Sequence, residues 1–347
     1  MKALKCLAAA VLGCAALVSG PASAQNAPAR PLEFNYGIPT ADHVTVFVAQ
    51  DLNLFEKVGL KPNFFFFQSG APLLAGLKSE SLDVVTAGLA LTFALGQDIP
   101  LKFIFWEANN AAAEGLVVDP KSGISSYRDI GKARKIGAAS GTCAQVSLYL
   151  MAQKVGLDYA KLNVVNIPAP LFRNSFLSGS IDAGVAWPPY SLQLQSEGYP
   201  VVSFDEDYTP PGGVCPGLTA VRPAFLKANP EIGLKLVQVE ALARKAMEEN
   251  PQVGIDAFVK RLSLTPEVAK ATLARQCCGR IPSFADHLDP SSPYSMTSKE
   301  GGLAGKLFLA SQALHAAKAL PAPVPLSVIQ EAIDPTYVRA FVEGGGK

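Results

Sequence analysis

Histidine is scarce in this chain of 347 residues: there are three, His43, His287 and His315, and they lie far apart. Charge is scarce too, at 17% of residues, with 30 basic and 29 acidic side chains, a formal net charge of +1 and no basic cluster. That balance excludes the electrostatic footprint of a nucleic-acid or anionic-membrane binder. Six cysteines, Cys6, Cys14, Cys143, Cys215, Cys277 and Cys278, are too scattered for a disulfide framework, and adjacent Cys277 and Cys278 cannot easily bridge one another. No Gly-x-Ser-x-Gly elbow, phosphate loop or His-Glu-x-x-His run occurs, and Cys277, Cys278 and His287 match no zinc spacing. The sequence therefore predicts no catalytic residues, no metal and no cofactor. Past the N-terminus no apolar run could span a bilayer; the one over residues 84–96 stops at Gln97-Asp98.

What is present begins with an export signal. Lys2 and Lys5 precede a small, apolar stretch over residues 6–18, then Gly20-Pro21 and Ala22-Ser23-Ala24 before Gln25. This is the pattern of a cleaved secretory signal over residues 1–24, leaving four cysteines in the exported chain. Val11-Leu12-Gly13-Cys14 makes a poor lipobox, so a free periplasmic form is expected over a lipoprotein.

The chain also repeats itself. Ala71-Pro72-Leu73-Leu74, Leu77, Ser79 and Ser81-Leu82-Asp83 return as Ala169-Pro170-Leu171-Phe172, Phe176, Ser178 and Ser180-Ile181-Asp182. Each copy reads as a short amphipathic helix entering a buried strand; the copies reflect either two similar lobes or two βαβ units that reuse the same turn residues. Strand and helix patterns alternate from residue 32 to residue 118, restart at residue 135, and give way after Pro223 to helices over 231–249, 253–262, 266–275 and 299–319. A single helix is expected over 41–57. The predicted class is α/β with two lobes, each a mostly parallel sheet flanked by helices. Residues 26–118 start the first lobe, 121–212 form the second and 217–347 return to the first, with hinge crossings near Asp119-Pro120 and at 212–216.

In such sheets ligands sit at the carboxyl ends of strands, where helix N-termini present bare amides to an oxyanion. Thr40-Ala41-Asp42, Ser69-Gly70-Ala71 and Ser140-Gly141-Thr142 occupy such positions, as helix caps or as ligand nests. Trp106 and Trp187, the only tryptophans, both end predicted strands and serve either as pocket walls or as core. Arg173 reads as part of a solvated helix face.

The order VAQDLNLFEKVGL, QSGAPLLAGLKSESLDVVTAG, EGLVVDPKSGISSYRDI, KIGAASGT, SFLSGSIDAGVAWPPY and RPAFLKANPE resembles the solute-binding proteins of nitrate/sulfonate/taurine-type ABC importers, nearest the taurine-like branch. The resemblance covers nearly all of the chain after the signal. It implies the type II periplasmic binding protein fold and a non-enzymatic, monomeric protein. Such a protein captures a small organic anion between its lobes and delivers it to a permease and ATPase of the inner membrane. The implied ligand positions are Thr40, Asp42, His43, Ser69, Gly70, Gly88, Leu89, Ser140, Gly141, Thr142 and Trp187, with Trp106 added from its strand-end position. Two departures stand out: Pro188 replaces an acidic residue common after this tryptophan, and residues 212–217 lack an aspartate usual in taurine-like members. Both imply a ligand without an amine, sulfonate- or carboxylate-like. The same fold serves thiamine-precursor chemistry, which leaves a periplasmic enzyme as the alternative.

Overall fold

Two five-stranded sheets organise the chain. The computed structural model describes residues 30–39, 43–68, 70–276 and 280–346, except the side chain of Ala71. The expected signal over 1–24, together with Cys277 and Cys278, lies outside the described residues. The first sheet contains β1 (Leu32–Pro39), β2 (Leu60–Phe67), β3 (Val84–Ala87), β4 (Lys102–Asn109) and β10 (Pro216–Val221), in the order β2-β1-β3-β10-β4. The second contains β5 (Gly115–Val118), β6 (Ile136–Gly137), β7 (Val164–Val165), β8 (Ala183–Ala186) and β9 (Val201–Phe204), in the order β7-β6-β8-β5-β9. In each sheet the strand in fourth place runs antiparallel to both its neighbours, and the other pairings are parallel. Those reversed strands, β10 and β5, are the ones that follow a crossing from the other sheet.

This arrangement moves one expected boundary. Gly115–Val118, expected in the first lobe, pairs with β8 and β9 in the second sheet. The first crossing is therefore residues 110–114, ahead of Asp119-Pro120. All four β5 residues are buried, so the strand has no polar face to show which sheet it enters. The expected helix over 41–57 is also broken, into Val44–Asp51 and Leu54–Lys57. Asn53 between them takes a left-handed φ of 54°, a conformation asparagine tolerates better than most residues. The strands expected over 135–139 and 163–167 pair over only two residues each.

The repeated segment proves to be one hydrogen-bonding device made twice. Helix Gly70–Lys78 ends with Glu80 at φ 56°, and helix Phe172–Leu177 with Gly179 at φ 67°. The amide of Ser81 then donates to Gly76 O at 3.0 Å, and that of Ser180 to Ser175 O at 2.9 Å, closing the same left-handed cap. Ser81 and Ser180 hydroxyls donate to those same carbonyls at 3.1 and 3.0 Å. Two residues on, Asp83 accepts from the amide of Asn35 at 3.0 Å, while Asp182 accepts from Arg134 N and Lys135 N, each at 3.0 Å. Each aspartate thus ties the start of its own strand to the neighbouring one, Asp83 to the middle of β1 and Asp182 to the residues just ahead of β6.

Burial alone would raise Asp182, but the amides of Lys135 and Arg134 and the Arg134 guanidinium hold its carboxyl below the usual range. A folded-state pKa below the unfolded one gives stability that is complete above about pH 4 and lost as pH falls through the folded value. Asp182→Asn is expected to cost about 1–3 kcal/mol at neutral pH. Urea melts of wild type and variant at neutral and acid pH should show that gap closing on acidification.

Helices of the C-terminal third cover the first sheet. Ile232–Glu249 buries Ile232, Leu236, Ala243 and Met247, a stripe at helical spacing, and packs on β4 and on Val44–Asp51. The exposed edge of β4 is closed by the chain near the C-terminus: Ile333 bridges Phe103, and Asp334 N donates to Phe103 O at 3.0 Å.

Candidate functional site

The carboxyl ends of both sheets open on one cleft, of about 550 Å³ counting its mouth. From the first sheet come Pro39 at the end of β1, His43 beside helix Val44–Asp51, Gly70, Ala87 at the end of β3 and Gly88 to Ala90 after it. From the second come Thr142 and Cys143 at the start of helix Cys143–Lys154, and Trp187 after β8. Asn110 and Glu114, on the first crossing, also line it. The lips touch: Gly141, at φ 72°, would place a Cβ 3.4 Å from the Phe93 ring, and a Cβ on Gly88 would stand 3.2 Å from Cys143 Sγ.

Buried polar groups back the cleft. His43 Nδ1 lies 3.0 Å from Glu107 Oε2, and Thr45 Oγ1 donates to Glu107 Oε1 at 2.9 Å. Behind them burial pushes Glu240 up to about 7, against the opposing pull of Arg244, whose Nε donates to it at 2.8 Å. Asn110 is fixed by Gln276, whose Nε2 donates to Asn110 Oδ1 at 2.9 Å. Ser147 Oγ lies 2.9 Å from Asp205 Oδ1 and 3.4 Å from Glu114 Oε1; its single proton serves one carboxylate at a time. Burial raises Asp205 to about 6, against the Ser147 hydroxyl and the Val214 amide.

Both crossings are held by cations from the C-terminal helices. Arg275 Nη1 donates to Ala112 O at 2.8 Å, with its guanidinium 3.9 Å above the Phe204 ring. Lys306 Nζ donates to Pro211 O and Gly213 O, both at 2.6 Å, and burial lowers its pKa to about 8.

Of the residues the sequence nominates, the cleft gathers His43, Gly70, Gly88, Leu89, Thr142 and Trp187. Thr40, Asp42 and Ser69 lie outside the described residues. Ser140 is exposed and its amide donates to Asn166 Oδ1 at 3.0 Å, so it is no nest for a ligand. The Gly141 amide is likewise taken, by Gln145 Oε1 at 2.8 Å. Thr142 lines the cleft, but its hydroxyl donates inward, to Ala139 O at 2.7 Å, which leaves its oxygen to face a ligand as an acceptor. Trp106 belongs to the core: it is fully buried, donates from Nε1 to Ala108 O at 2.5 Å and meets the Tyr294 ring edge-on at 5.2 Å. Arg173 pairs with Glu197 at the surface, 2.6 Å apart.

The sequence did not disclose Asn110, Glu114 or Cys143. Glu114 also overturns the argument from missing carboxylates, since it brings one to the cleft from the first crossing. A single charge in the run Ala111-Ala112-Ala113-Glu114-Gly115-Leu116 was the available signal.

Comparison with known proteins places this geometry. Residues 40–253, more than half of the chain, match the sequence model described as NMT1/THI5 like. A Bacillus subtilis (strain 168) protein named as an aliphatic sulfonates-binding protein is 30% identical over 225 residues, 63% of this chain and 65% of that one. The match thus spans just under two thirds of that relative's length. Among solved structures, the alkanesulfonate-binding protein SsuA from Xanthomonas axonopodis pv. citri bound to MOPS superposes with a TM-score of 0.73 at 20% identity, covering 88% of this chain and 99% of that one. The periplasmic nitrate-binding protein NrtA from Synechocystis PCC 6803 gives 0.70 at 12% identity, covering 90% and 89%. At those identities the structures speak for the periplasmic binding protein fold. With its sequence match running from before the first helix through every strand after β1, the chain belongs to the NMT1/THI5-like family.

Proposed function

We propose that this protein is the substrate-binding component of an ABC importer. It works in the periplasm and captures a small organic anion, sulfonate- or carboxylate-like, between its two sheets. The observation that carries this reading is the cleft itself, built from strand ends of both sheets with Gly88 and Leu89 on one lip and Thr142 and Trp187 on the other. At the start of helix Cys143–Lys154 the first amides have no acceptor one turn earlier and present a partial positive charge to an anion. Trp187 offers an apolar wall. The similarity to a sulfonates-binding relative supports the same ligand class. Glu114 adds a place for a hydrogen-bond donor on the ligand, so a zwitterion such as taurine belongs in the test beside amine-free sulfonates.

A second reading, an enzyme on the same fold, draws on the His43–Glu107 pair at the cleft, the arrangement of a base with its orienting carboxylate. Thermal-shift screening of alkanesulfonates, taurine, aromatic carboxylates and nitrate, followed by mass spectrometry of the bound compound, separates the two. A binding protein is expected to raise its melting temperature with one class and return the compound unchanged. Turnover of the compound would sink the transport reading, and no shift with any anion would sink the ligand class.

A further inference from the structure

Beneath the cleft, one carboxylate oxygen of Glu114 and the sulfurs of Cys143 and Cys215 lie within 4.8 Å of one another. All three residues are buried, and both cysteines are free thiols. They come from the first crossing, from the start of helix Cys143–Lys154, and from the end of the return crossing just before β10. We propose that Glu114, Cys143 and Cys215 form a binding site for one thiophilic divalent cation of the zinc class, with its fourth coordination position open to the cleft.

The size is right. A tetrahedral ion with metal–sulfur bonds of about 2.3 Å and metal–oxygen bonds of about 2.0 Å sets its ligands about 3.6–3.8 Å apart. From separations within 4.8 Å, the three atoms need draw in by no more than about 1.2 Å. A disulfide would demand a sulfur–sulfur distance of about 2.05 Å and a specific dihedral. Two thiolates with one carboxylate suit a borderline ion such as zinc better than monovalent copper, which prefers sulfur alone. Cys143 is the first residue of a 12-residue helix; burial pushes its thiol and that of Cys215 up, so both keep their protons until an ion displaces them. Ser147 stands where an outer support would, with Oγ 3.4 Å from Glu114 Oε1 and 3.9 Å from Cys215 Sγ. Cys143 and Glu114 line the cleft, which gives the ion a route in and leaves one side of it facing a ligand. On coordination each thiol releases its proton to solvent and no electron moves: one divalent cation replaces two protons.

Cobalt(II) is the probe, added to the reduced full-length protein without any organic ligand. The expected result is a thiolate-to-cobalt charge-transfer band that saturates at one equivalent, with two protons released, and is displaced by zinc. Cys143→Ser and Cys215→Ser should each lose the band or weaken binding by about tenfold or more, whereas the double variant Cys277→Ser/Cys278→Ser should keep it. Glu114→Gln should keep the sulfur band and weaken cobalt binding. Melting curves check that the variants fold, and Cys143→Ala and Cys215→Ala stand in if a serine variant does not. No band in the reduced wild type, or a band of wild-type intensity and affinity in both single-cysteine variants, would overturn the site. So would a Cys143–Cys215 disulfide in peptide maps of protein recovered from its own compartment.

Discussion

Gly88→Val should abolish ligand capture while the protein still folds. Gly88 follows β3 at the lip of the cleft, and its φ is not in the left-handed region, so its backbone accepts a side chain. The space does not. The first added carbon would stand 3.2 Å from Cys143 Sγ and 3.8 Å from Pro216 O, and the two valine methyls beyond it would fill the volume a ligand needs. Overpacking a closed site costs about 1–3 kcal/mol, and the two sheets can relieve it only by staying apart. Affinity should fall at least about a hundredfold, equivalent to about 2.7 kcal/mol, with a smaller change in melting temperature. Titration calorimetry with whichever anion the wild type binds, beside thermal melts, makes the comparison. Wild-type affinity in Gly88→Val would place the ligand away from this cleft.

The two tryptophans should separate in opposite directions. Trp106→Ala removes a fully buried ring together with its bond to Ala108 O and its edge contact with Tyr294. A loss of about 3–5 kcal/mol of stability is expected, with ligand affinity of the folded fraction unchanged. Trp187 is only half-buried, lines the cleft and meets Tyr190 edge-on at 6.4 Å. Trp187→Ala should cost affinity more than stability. If Trp106→Ala melted like wild type, the assignment of that ring to the core would be wrong. The sequence reads both residues as strand ends, and nothing local distinguishes them; in the structure Trp106 lies within β4 and Trp187 just past β8. Six of the eight residues of β4 are buried, on both of its faces, so alternation gives no hint of where Trp106 points.

What the chain discloses by itself is what is written in neighbouring residues. The serines and aspartates of the repeat act within one turn and one adjacent strand, through Ser81 and Asp83 in one copy and Ser180 and Asp182 in the other. Their spacing therefore survives as a legible pattern. Of the cleft glycines, Gly70 follows from the rule that ligands gather at strand ends, and Gly88 from the family resemblance. Glu114 escaped because its partners are remote: Ser147 lies 33 positions away, and Asp205, which shares that hydroxyl, is further still. The placement of β5 escaped for a related reason. A run of buried aliphatic residues records that a strand is interior, while its choice of sheet depends on β8 and β9, which come far later in the chain.

The contact between the two lips bears on rates as well as on shape. Phe93 faces Gly141, and Cys143 faces Gly88, across the mouth of the cleft, so close that an added carbon on either glycine would meet its neighbour, and any further closure of the lips on a ligand must open again before it leaves. A gate of that kind scales the observed association rate by the fraction of molecules that are open, and it caps the escape rate at the rate of opening. Residence time then becomes a property of the lips, adjustable at Phe93 without touching any group that reads the ligand. Two relatives with the same pocket chemistry could thus differ widely in how long they hold their cargo.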